Sequence, residues 1–340
     1  MIRQRRVRTH TLRFHCANRM PNAVSPPVAV PFAPPRRWPD VSFRWLALLA
    51  AILIVALIFL VGWELYQGAQ LAVSKFGIRF FGNSVWDPVA DQYGAWPFIF
   101  GTMVTSLLAL VIAVPLGVGT ALYLTEFAPL RTRQPLISVI EMLAAVPSVI
   151  FGLWGVFVMI PWLRDNLFLW LKQWLGFLPL FQGPIYGVSV LAGGIIVAIM
   201  ILPIITSISR EILRSVPNLQ REAAYALGAT HWEVIRIAVL SYARRGIFGA
   251  AVLGLGRALG ETMAITMVIG NRAEVSSSLF APGYTLASVI ANEFTEATTD
   301  MYLSALFELG LVLLVVTILV NMMAQLMLRS LTGRGTGKVN

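Results

Sequence analysis

The chain has 340 residues, of which 57% are hydrophobic and 12% charged, and its formal net charge is +10. A soluble domain of this size carries about twice that share of charge, and the apolar residues here fall in long blocks, so an ordinary soluble domain is excluded. A single cysteine, Cys16, excludes an intramolecular disulfide framework, and with His10 and His15 it lacks metal-ligand spacing, so no metal site is expected.

Residues 1–42 are rich in Arg and Pro without apolar periodicity. They are expected to form a disordered basic cytoplasmic arm that can touch anionic lipid headgroups. The apolar run Trp45 to Trp63 lies between Arg44 and Glu64. As a helix it reaches across a hydrocarbon core of about 30 Å, which predicts a first membrane anchor over 43–63. A segment outside the membrane is expected over 64–97.

Five more spans are predicted at 98–124, 136–160, 187–209, 246–270 and 304–328. Pro115, Pro147 and Pro203 fall inside them, which membrane helices tolerate where neighbours re-satisfy the freed backbone groups. Gly176, Pro179, Gly183 and Pro184 interrupt the uncharged stretch after Lys172, so a re-entrant or interfacial piece holding Trp170 and Trp174 is expected there.

Six spans put both termini on one side. With that side as cytoplasm, 20 Lys and Arg lie inside against 5 outside (Lys75, Arg79, Arg164, Lys172, Arg272), and Arg257 lies within the membrane. That split is a positive-inside signal. It accounts for the basic balance without nucleic acid.

The connection 210–245 is the one sizeable cytoplasmic loop between spans. Pro217 suits a helix start, Leu219, Ala223 and Leu227 recur at i, i+4 and i+8, and Gly228 offers a stop. Thr230 and Glu233 fit a capping box that opens a second short helix through Leu240. An apolar-striped helical hairpin on a cytoplasmic face suits docking into a partner. His231 reads as a surface residue.

Charges inside the membrane each cost about 2.5–3.5 kcal/mol at a helix centre, so they need a partner or a wet pathway. Arg257 and Glu261 in span five are four apart and are expected to meet on one helix face. Gly256 and Gly260 beside them permit a neighbouring helix to approach. Glu141 is placed in span three, where it reads more as a structural pair than as a substrate contact, and Glu308 opens span six. The tail Gly333 to Lys338 imitates a phosphate-binding loop, but Val339 stands where Ser or Thr must bind Mg²⁺. ATP hydrolysis is therefore expected from another subunit, and this chain is not expected to be an enzyme.

Glu222-Ala223-Ala224, three residues, then Gly228 and a hydrophobic stretch to Leu240 resemble the EAA loop of ABC importer permeases. That pattern ends in Leu-Pro with Ile two residues before the Leu; here Ala238 and Ser241 stand in those places. Gly254 to Thr262, Glu141 to Ser148, Ala291-Asn292-Glu293-Phe294 and Glu308-Leu309-Gly310 resemble motifs of the phosphate-transporting PstC family. The resemblance covers roughly 43–328. It implies an all-α integral membrane fold of six transmembrane helices around a type I ABC importer permease (MetI-like) core at 98–328, with a cytoplasmic tail at 329–340.

It further implies an inner-membrane protein working by alternating access with a PstA-like sister permease, a PstB-like ATPase dimer using ATP and Mg²⁺, and a periplasmic PstS-like phosphate-binding protein. The binding protein is expected to deliver to 64–97, 162–186 and 271–302. Glu222, Ala223, Ala224 and Gly228 are expected to couple to the ATPase. Arg257, Glu261, Thr262 and Glu141 are expected along the substrate pathway, with a purely structural Arg257–Glu261 pair left open. Another oxyanion such as sulfate or molybdate, or an ion-coupled secondary transporter, remain the alternatives.

Overall fold

The computed structural model describes residues 37–333, so Cys16, His10, His15, most of the basic arm and most of the tail lie outside the described residues. Among the described residues six helices are long and apolar enough to cross a membrane: Val41–Phe76, Trp96–Phe127, Ser148–Leu175, Val190–Arg214, His231–Leu259 and Asp300–Arg329, here spans one to six. No strand accompanies them among the described residues, only an isolated antiparallel bridge between Asp87 and Gln92. The fold is all-α. The chain divides into a first unit ending at Val55, whose described part is helix, and a second unit, Ala56–Asn340, that holds spans two to six.

Span one continues thirteen residues beyond the expected Trp63, to Phe76. Its last turns mix polar and apolar residues, and the apolar side packs against span six. Ala69 and Ala72 are fully buried, Gly68 lies against the Phe307 ring, and the Ala72 N–H donates to Ser304 Oγ at 3.1 Å.

Span two tolerates Pro115 and ends in a widened π turn, Tyr123–Phe127. Sequence and structure then part. The expected third span, 136–160, is broken in its middle, because Pro147 forces Val146 into an extended conformation (ψ 128°) and ends the helix Leu130–Ala145. Span three starts afresh at Ser148 and runs on to Leu175. Pro161 is absorbed between two π turns, Gly155–Met159 and Leu163–Phe168. Trp170 and Trp174 therefore continue the helix that starts at Ser148 and do not form a separate re-entrant piece.

Span four is the most buried. Ser189 caps it by accepting the Ala192 N–H at 3.2 Å, and Ile196, Ile201 and Ile205 form the middle of the core. Small residues let its neighbours close in: a Cβ at Gly117 of span two or Gly254 of span five would stand about 3.0 Å from Ile205. Such backbone approach is how membrane helices pack, since lipid gives no hydrophobic drive between them.

Span five also departs from expectation. The capping box of Thr230 and Glu233 is present, but the helix it opens does not stop at Leu240. It passes through a π turn, Ile235–Leu240, straight into Ser241–Leu259. Ser241, standing where the related pattern has Pro, presents no obstacle. Gly260 ends the helix, and a separate short helix, Met263–Val268, follows.

Candidate functional site

The break after span five gathers three of the expected pathway residues. Arg257 lies in the last turn of Ser241–Leu259 and is exposed. Gly260 leaves helical geometry (φ −94°, ψ 2°), so Glu261 does not stand one turn above Arg257 on a continuous face. The expected ion pair is absent among the described residues. Glu261 is instead buried at 8% exposure, and its Oε1 lies 3.5 Å from the Ala264 N–H, the position of a helix-capping acceptor. Thr262 Oγ1 donates to the Gly260 carbonyl at 3.1 Å, and the Thr262 carbonyl accepts both the N–H and the hydroxyl of Thr266. The break is thus closed by its own polar groups, and Arg257 is left with its charge facing outward.

The glycines beside it behave differently from one another. Gly254 is jammed against Ile205, whereas a Cβ at Gly256 would meet only Asn321 Oδ1 at 3.8 Å, and one at Gly260 only a backbone oxygen at 3.9 Å. Among the described residues the face bearing Gly256, Arg257 and Gly260 is therefore not filled by a tightly packed helix.

Glu141 lies elsewhere. It is on the helix Leu130–Ala145, ahead of span three, and its carboxylate stands 3.7 Å from Arg210 Nη2 at the end of span four. Hydropathy had put Glu141 within a span only because Pro147 was read as a tolerated kink. Glu308 is buried in span six at 4% exposure, with Oε2 unpartnered.

Asn292 and Glu293 hold the opposite end of the bundle together. Glu293 Oε2 accepts the Trp86 indole N–H and the Tyr302 hydroxyl, each at 2.7 Å, and Asn292 donates to the Tyr284 hydroxyl at 2.8 Å. Trp86, Tyr93, Phe98 and Tyr302 pack edge-on or stacked around them. Burial and the adjacent Asp91 carboxylate push the Tyr93 hydroxyl up to about 12.

The loop between spans four and five carries the second group of expected residues. A helix over Asn218–Ala226 starts after Pro217, and Gly228 turns the chain with φ +83°. Glu222 and Ala223 are exposed and Ala224 is half-buried. Of the stripe read from the sequence, Leu219 is 75% and Leu227 89% exposed, so it stays largely uncovered among the described residues. The other side of the helix is held. Arg221 Nη1 donates to both carboxylate oxygens of Glu126, at 2.8 and 2.6 Å, and Tyr225 Oη lies 2.6 Å from His231 Nδ1. Sequence reasoning missed Glu126, Arg210, Arg221 and Tyr225. The Arg221–Glu126 and Arg210–Glu141 pairs join segments far apart in the chain, which nothing in one sequence links, while Tyr225 and His231 are six residues apart and meet across the Gly228 turn.

Residues 113–333 match the family described as binding-protein-dependent transport system inner membrane component. The phosphate transport system permease protein PstC of Mesorhizobium japonicum is 45% identical over 87% of this chain and 91% of its own length. The chain belongs to this family, among the PstC permeases. Other PstC members are similarly near: that of Haemophilus influenzae is 44% identical over 86% of this chain and 93% of its own, and PstC 2 of Mycobacterium tuberculosis 42% over 92% and 96%. A bacterial alginate ABC transporter, solved with an alginate-bound periplasmic protein, shares the PstC fold at TM-score 0.59 and 18% identity, over 87% of this chain and 99% of the other. As a PstC permease the protein is a multi-pass membrane subunit of an importer, and the family match takes in both the span-five break and the loop helix.

Proposed function

We propose that this chain is the phosphate-translocating permease subunit of an ATP-driven importer in a bacterial inner membrane, with both termini cytoplasmic. The carrying observation is near-full-length identity of 42–45% to permeases named for phosphate transport. The 20 to 5 division of Lys and Arg over the spans expected from the sequence supports this orientation, in which the helix Asn218–Ala226 faces the cytoplasm.

That helix is the contact for a PstB-like ATPase pair, which binds the ATP and Mg²⁺. Leu219, Ala223 and Leu227 enter a groove on the ATPase, Glu222 and Ala224 flank them, and Gly228 sets the turn. A PstA-like permease stands against the open face of Gly256, Arg257 and Gly260, and a PstS-like protein delivers phosphate at the opposite side of the membrane.

Arg257 offers planar donors to an oxyanion in the pathway between the two permeases. Glu261 and Thr262 shape the break that presents it, and the buried carboxylate tempers the field so that phosphate is not held too tightly. Glu141, in a loose ion pair with Arg210, steadies the cytoplasmic entrance.

Uptake of labelled phosphate into proteoliposomes holding the chain with its partners tests the reading. ATP- and binding-protein-dependent accumulation that excess sulfate or molybdate does not compete is expected. Accumulation of sulfate or molybdate in place of phosphate, or uptake driven by an ion gradient without the ATPase, overturns it.

A further inference from the structure

A docking helix transmits force only if it is fixed to the spans it must move. The backbone alone is a weak fixture here, because Pro217 and Gly228 flank the helix Asn218–Ala226 and each is a bend. Arg221 stands two residues from both Leu219 and Ala223, which at about 100° per residue puts it on the helix face opposite the apolar stripe. That face meets Glu126 in the π turn closing span two, where the Glu126 side chain is 6% and the Arg221 side chain 22% exposed.

The guanidinium grips in two directions. Nη1 donates to both Glu126 oxygens, and Nη2 donates at 3.2 Å to the carbonyl of Leu213, in the last turn of span four. A flexible ammonium could hold one of these groups; the planar fork of arginine holds both at fixed angles. A second clasp lies alongside. Tyr225 bonds His231, the first residue of span five, and the His231 ring stands edge-on to Phe127 at 5.3 Å. Below them Ala121, Leu213, Val216, Val239 and Ala243 form one buried apolar cluster. One short helix is thus tied to the cytoplasmic ends of three spans.

We propose that the Arg221–Glu126 pair is the transmission link of this permease: it makes the ATPase-contacting helix move as one body with spans two and four, so that ATPase closure is turned into transport. The pair positions the helix and touches neither substrate nor nucleotide. The proposal rests on the reading of Asn218–Ala226 as the ATPase contact.

The test uses the complete complex, permease pair, ATPase pair and binding protein, in proteoliposomes. Three quantities are read together: ATPase retained with the permease on purification, ATP hydrolysed, and phosphate taken up per ATP. Variants are Arg221→Glu, the charge exchange Arg221→Glu with Glu126→Arg, and the neutral pair Arg221→Gln with Glu126→Gln. The neutral pair leaves no unpaired charge in the buried site and so keeps the test alive if the others fail to fold.

In Arg221→Glu and in the neutral pair the ATPase is expected to stay bound and to hydrolyse ATP, while uptake per ATP falls at least five-fold. The charge exchange is expected to recover half or more of that loss where it folds. Wild-type uptake per ATP in the neutral pair overturns the proposal. Loss of the bound ATPase in the neutral pair, with the wild type retaining it, overturns it too, since the pair then serves assembly. A complex with Arg221 and Glu126 intact that holds its ATPase with Leu219 and Leu227 both changed to Asp contradicts the docking reading beneath it, a distinguishable result.

Discussion

Gly228 separates two kinds of constraint on the turn between the loop helix and span five. Its φ of +83° lies in the left-handed region, and a Cβ built there meets nothing within 4 Å. Any penalty on substitution is therefore backbone strain and not crowding. For an L-residue that strain is about 1–2 kcal/mol, smaller for Asn, whose short polar side chain tolerates the conformation, and larger for β-branched Val. If the turn must keep its shape to present Leu219 and Leu227, that strain is met on docking, and 1–2 kcal/mol corresponds to about a 5–30-fold weaker hold on the ATPase pair. Titrating purified ATPase onto immobilised permease should rank glycine first, then Asn, Ala and Val. Gly228→Val binding as tightly as Gly228→Asn would refute the strain argument, because Asn and Val are similar in size and differ here mainly in backbone preference.

Three further outcomes follow from the same geometry. Leu219→Asp and Leu227→Asp change side chains that are 75% and 89% exposed, so the permease should fold with a nearly unchanged thermal midpoint in detergent yet purify without its ATPase. Glu261→Gln keeps an oxygen for the Ala264 N–H and should assemble normally, while Arg257→Gln removes the exposed cation; both should lower phosphate uptake, Arg257→Gln at least ten-fold. Normal uptake by the assembled Glu261→Gln variant would reduce that carboxylate to a cap. Glu293→Ala deletes the acceptor shared by Trp86 and Tyr302, at about 1.5–3 kcal/mol for each hydrogen bond to a charged group, part of it screened at this half-buried site. A lower thermal midpoint of the detergent-solubilised protein, with ATPase binding intact, is the expected signature.

The spans were legible because hydrocarbon selects for long apolar runs, and six such runs stand out in the sequence. Their ends were less so, since hydropathy is blind to backbone breaks. Val146-Pro147 and Gly260 each lie inside an apolar stretch, and each ends a helix where the apolar run continues. Helix also outlasts the apolar run at residues 64–76, where Glu64, Gln67, Gln70 and Lys75 interrupt the hydropathy signal while Ala69 and Ala72 are buried.

Of the site, the apolar stripe, the capping box and the Gly228 turn were local signals and could be read directly. The separation of Arg257 from Glu261 could not, because i, i+4 spacing implies contact only while the helix persists. Nor could the Arg221–Glu126 and Glu141–Arg210 pairs, which join segments far apart in sequence and form only once the spans have packed.

The most direct test of the central claim places a photo-activated cross-linking residue at Leu227 in the assembled complex. The account predicts a cross-link to the ATPase subunit from the cytoplasmic side, strengthened or weakened by nucleotide as the pair closes. A cross-link to the periplasmic binding protein, or labelling of Leu227→Cys in intact cells by a reagent that cannot cross the inner membrane, would contradict it.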